Sequence, residues 1–169
     1  MLQPEGKPTA REVAQGFLIS IASENPLTDL ENSLIEKHGI DENKYRWEAR
    51  YLEVAATEYA FYSLREGKLA DRVAAVRREF WKLWQEFSSK DDESAFIVTQ
   101  CRERLKTYAP AMDKDAQGGF GSAVSTDFAH QFGAISQEAF LWLHGAATII
   151  FDGVFYATTE MLAKTDIKL

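Results

Sequence analysis

A single cysteine, Cys101, leaves this chain no internal disulfide to form. The fold must therefore rest on packing, and a reducing compartment is the simplest home for the thiol. Proline is scarce: four among 169 residues, at positions 4, 8, 26 and 110, so the long stretches between them are free to be helical. Basic residues are outnumbered, 19 Lys and Arg against 26 Asp and Glu, giving a formal net charge of −7. No concentrated basic face offsets that balance, which argues against nucleic acid as a partner. The opening MLQPEGKPTAREVAQ lacks the basic-then-apolar pattern of a signal peptide, so the expectation is a cytoplasmic protein.

Catalytic signatures are missing too. The chain has no Walker A loop, Gly-x-Ser-x-Gly elbow, Rossmann fingerprint, His-Glu-x-x-His pair, zinc-spaced Cys/His cluster or Glu-x-x-His repeat. Gly118-Gly119-Phe120-Gly121 follows no strand, so it reads as a connector or mobile lid rather than a phosphate loop. Asp113, Asp115 and Gly118 fit the first, third and sixth positions of a calcium loop, but the twelfth is Val124 where a bidentate Glu is required. A polar surface loop is the better reading, and neither a metal nor a cofactor is expected.

What remains is helical almost throughout. Apolar residues make up 46% of the chain and aromatics 12%, enough for a packed interior, and 169 residues suit one domain. Residues 1–7 are polar and predicted to fray. Thr9 with Glu12 forms a capping box, followed by a stripe of Val13, Phe17 and Ile21. Thr28 with Glu31 repeats the box, with Leu27, Leu30 and Leu34 expected inward and Gly39 past the helix end. Asp41 caps a third helix running to about Glu66. Its polar face is narrow (Arg46, Arg50, Glu53, Thr57), so it must be packed on two sides or offer one to a partner.

The fourth helix, from about Lys68 to Ser88, has a clean seam of Leu69, Val73, Val76, Phe80, Leu83 and Phe87, with Trp81 off it. The fifth turns Val98, Cys101, Leu105 and Tyr108 inward and is expected to stop at Pro110. A long flexible loop over 109–122 precedes a short helix with Val124, Phe128 and Phe132 inward. The last run, Ser136 to Lys164, reads as one helix buried on most of its circumference, with Leu143, Ala147, Ile150, Val154, Ala157 and Met161 on one apolar face. It is long enough to span a bilayer, but a central Asp152 and His144 argue for a protein core instead, so no membrane partner is expected. The predicted fold is an all-α, single-domain irregular bundle of six or seven helices over residues 1–169, organised around that buried C-terminal helix.

Candidate functional residues fall into two groups. His144, Thr148, Asp152, Tyr156 and Glu160 recur every four residues along the last helix, and Glu58 with Tyr62 lies in the aromatic arc of the third. Glu58, Tyr62, His144, Asp152 and Tyr156 are the ligand-binding candidates, with Arg65 as the same-helix neighbour for Glu58. Trp47, Tyr51 and Trp81 are the interface candidates. Three functions follow: a non-enzymatic interaction or regulatory protein, self-associating as a homodimer or binding another protein; a small-molecule binder with a pocket between the third and last helices; and an acid–base or metal-dependent enzyme. The first fits the sequence best, because its aromatic surplus has no catalytic counterpart.

Overall fold

The computed structural model describes residues 6–23, 26–115 and 122–168. Among them are seven helices and no strand: α1 (Ala10–Ala22), α2 (Asp29–His38), α3 (Glu42–Ser63), α4 (Ala70–Ser88), α5 (Asp92–Asp115), α6 (Ser122–His130) and α7 (Gln137–Lys164). The predicted caps set the starts. Thr9 and Thr28 make reciprocal boxes with Glu12 and Glu31, and Asp41 and Ser136 accept from Lys44 N and Ala139 N at 2.8 and 3.1 Å. Gly39 (φ 62°) takes the left-handed conformation that ends α2.

Two cores form, and α3 contributes to both. One joins Tyr45, Leu52, Ala56 and Ala60 of α3 to Tyr108, Phe128, Leu143, Ala147 and Phe151. The other joins Tyr51, Val54 and Phe61 of α3 to Phe17, Val73, Val76, Phe80, Val98 and Cys101. The wide apolar arc of α3 is thus packed on two sides, which accounts for its narrow polar face. Ile167 enters the second core, and Lys168 N donates to Pro8 O at 2.9 Å, closing the end of the described chain against its beginning.

Four expectations are corrected. First, α7 is not buried on most of its circumference: Ala139, Leu143, Ala147, Phe151, Phe155, Thr158 and Leu162 face inward, while Leu141, Ile149, Tyr156 and Met161 are exposed. The buried row advances mostly by four residues, so Met161 and Ala157 of the predicted face turn outward. Second, α5 continues through Pro110 to Asp115, where a loop from 109 was expected. Pro110 and Lys106, whose carbonyl loses its donor, are both exposed, while continuing the helix buries Ala111 and Met112. Residues 116–121, with the predicted lid, lie outside the described residues, as do 1–5 of the predicted frayed start. Third, Asp115 accepts from Ala123 N at 3.0 Å and Val124 N at 3.2 Å, so a carboxylate expected in a polar surface loop is buried and holds the start of α6. Fourth, Leu30 is exposed and Ile35 fills the core from α2 in its place.

Candidate functional site

The polar row of α7 faces α6. His144 Nε2 lies 3.2 Å from Ser122 O, and Thr148 Oγ1 lies 2.8 Å from Ser125 Oγ. Thr148 already donates its one proton to His144 O, so Ser125 is the donor between the two hydroxyls. Asp152 Oδ1 is buried without a protein partner among the described residues, and burial, then the nearby Asp115 charge, raises its pKa. These contacts join helices within one core rather than frame an opening.

Glu58 faces α4 instead. Arg77 donates to Glu58 through Nε at 2.8 Å and through Nη2, and Trp81 Nε1 donates to Oε2 at 2.9 Å. Arg65, the neighbour expected for Glu58, stacks 3.5 Å over the Tyr62 ring and donates to Tyr62 O. Glu58 therefore bonds to α4 and His144 to α6, and no hydrogen bond or ion pair joins Glu58 to His144 or Asp152 among the described residues. Of the interface candidates, Trp81 is occupied by Glu58 and Tyr51 is buried, while Trp47 is partly buried beside a cavity.

That cavity, about 450 Å³, falls within the roughly 300–1,000 Å³ range of small-molecule sites, and a shallower one of about 570 Å³ is lined by Glu58, Arg77, Trp81, Leu105 and Met112. In the first, Leu18, Ile21 and Ala22 from the last turns of α1 form one wall, and Trp47, Tyr51 and Val54 of α3 form the next. Leu83, Trp84 and Phe87 near the end of α4, with Ile97 of α5, complete it. Its rings are arranged in pairs: Trp47 stacks on Tyr51 at 6.1 Å, and Trp84 meets Phe87 edge-on at 5.9 Å. Trp84 is 9% exposed, and its indole Nε1 is buried with no protein acceptor among the described residues. Such an unpaired donor costs about 1–3 kcal/mol.

Charged groups line the same cavity. Arg50 Cζ sits 5.0 Å over the Trp47 ring and Lys90 Nζ sits 5.4 Å from the Phe87 ring, in cation–π range. Glu86 also lines the cavity, but Arg11 donates to both of its oxygens, at 3.1 and 2.6 Å. A smaller cavity of about 210 Å³ lies on the other side of Arg50, between α2, α3 and Ile150 of α7. It is lined by Glu53, whose carboxyl burial pushes up to about 7 against the opposing pull of Arg50.

Sequence reasoning missed Trp84, Arg50, Glu53 and Glu48 as special residues. Glu48 was legible: Tyr45, Glu48, Leu52 and Ala55 recur at three and four residues, which marks Glu48 as an inward position. Trp84 was hidden because Leu83 fits the heptad seam equally well, and only the closure of α1 and α5 on α4 turns Trp84 inward. Compared with known protein families, curated proteins and solved structures, the chain matches none.

Proposed function

We propose that this is a non-enzymatic binding protein that holds a small, largely apolar molecule in the cavity between α1, α3, α4 and α5. The observation that carries the reading is the cavity itself, about 450 Å³ and walled by Trp47, Tyr51, Trp84 and Phe87, with its charged lining confined to Arg50, Glu86 and Lys90. An apolar site with few fixed polar groups is the general form of a small-molecule pocket. The site differs from the one expected between the third and last helices, and it draws on Trp47 and Tyr51 as lining rather than as interface anchors. Calorimetry with 1-naphthylacetamide, a neutral aromatic probe, tests it. Saturable binding that Ala22→Trp abolishes at the mouth supports the reading; no binding, or binding indifferent to that plug, refutes it.

A second reading, self-association, is favoured by the outer face of α7. Leu141, Ile149, Tyr156 and Met161 are 62%, 76%, 56% and 43% exposed on that one helix. Gly145 and Gly153 fall in line with Leu141 and Ile149 at four-residue steps, and a side chain on either glycine would meet nothing within 4 Å. A second helix has room to approach the side carrying Leu141, Ile149 and Tyr156, and an exposed apolar row is a common mark of an interface. Mass in solution across micromolar concentrations decides it: a dimer lost on Ile149→Glu supports this face, and a strict monomer removes it.

A further inference from the structure

We propose that the cavity selects an organic anion: a compact aromatic body seated among the rings, with an acidic group at the mouth between Arg50 and Lys90. This inference rests on the binding reading above and adds the charge of the ligand to it.

Three observations converge on an anion. Arg50 and Lys90 both border the cavity, and neither forms an ion pair among the described residues. Glu53, one turn beyond Arg50, feels its charge without pairing to it. The single acid in the cavity lining, Glu86, is already held by Arg11 through both oxygens, so the local balance at the mouth is positive on a chain whose overall charge is −7. Each cation is also held over an aromatic ring, which keeps it at the rim with its N–H groups available. A carboxylate there gains charge-assisted hydrogen bonds that its amide isostere does not. Deeper in, the rings of Trp47, Tyr51, Trp84 and Phe87 offer faces and edges to the aromatic body of the molecule.

A cationic ligand would have to displace Arg50 and Lys90 from the Trp47 and Phe87 rings that they already cover. Its ammonium would face Arg50 and Lys90, and Glu86, the acid in the lining, is held by Arg11. An uncharged apolar ligand would fill the same space without using the rim.

The experiment compares two probes of one shape, 1-naphthylacetate and 1-naphthylacetamide, by calorimetry on the full chain. The acetate is expected to bind at least about tenfold more tightly, a difference near 1.4 kcal/mol, and to lose that advantage in Arg50→Gln/Lys90→Gln or in high salt. The indole N–H signal of Trp84, read in the unmodified protein, is expected to move on titration. If both probes bind equally and Ala22→Trp blocks both, the anion preference is overturned while the cavity reading stands. If neither binds, or the plug changes nothing, the cavity reading falls and takes this inference with it.

Discussion

Glu48 on α3 and Arg104 on α5 meet inside the protein: Arg104 Nε donates to both carboxylate oxygens, at 3.0 and 2.7 Å, and Nη2 donates to Oε1. Glu48 is only 3% exposed. Burying a carboxylate is tolerable here because the planar guanidinium answers both of its oxygens at once. Glu48→Ala is expected to cost about 3 kcal/mol, because it leaves the guanidinium without its counter-charge. Glu48→Leu combined with Arg104→Met should recover most of that loss. Urea unfolding of the single and double variants checks both statements, and equal losses would contradict them.

The pH dependence should carry a signature of Glu53. Burial holds its folded-state pKa at about 7, above the 4.5 of an exposed glutamate. Between those values the folded protein holds a proton that the unfolded chain releases. Raising pH through that window therefore lowers stability, by an amount on the order of 3 kcal/mol for this group alone, and the effect is flat above it. Carboxylates with lowered pKa, such as Glu31 and Glu12, act in the opposite direction, so the comparison must be internal. Glu53→Gln should match the parent near pH 4.5 and exceed it in stability at pH 8. A constant difference between the two proteins across that range would contradict the assignment.

Cys101 should be inert in the folded protein. It is 1% exposed, and burial pushes its thiol up to about 12, so almost no thiolate is present at pH 8. Reaction with a disulfide reagent is expected only through unfolding, with a rate that rises with denaturant. Fast labelling in native buffer would show that the α5 seam opens locally.

Ile149→Glu should leave the fold intact, since the side chain is exposed and its helix is held by the opposite face. The melting temperature is expected to change little in dilute solution, a surface change of about 0.5 kcal/mol or less. If assembly occurs, the variant should be the more monomeric species by light scattering. A large loss of stability at low concentration would instead mean that α7 is covered in the functional state.

Asp152→Asn distinguishes a structural residue from a binding one. Burial and the Asp115 charge both disfavour its ionised form, so the neutral amide should hold or raise stability at neutral pH without changing affinity for a naphthyl probe in the cavity. Loss of binding in a stable Asp152→Asn protein would return the site to the α7 row.

Local chemistry alone determined most of the helices. Thr9, Thr28, Asp41 and Ser136 act where they stand because a cap needs only the next three residues. Gly39 ends α2 for an equally local reason. The burial of Val13, Phe17, Ile21 and Cys101 followed from periodicity on a single helix. Tertiary structure decided everything that depends on which helix faces which. Glu58 found Arg77 and Trp81 rather than Arg65, because α4 lies against that side of α3. His144 turned to Ser122 of α6, and Asp152 toward Asp115 at the end of α5. α5 passed through Pro110 because the burial of Ala111 and Met112 outweighed one lost hydrogen bond. The cavity itself has no counterpart in sequence: it exists where the end of α1, the middle of α3 and the α4–α5 turn fail to fill the space between them, and no single helix carries that information.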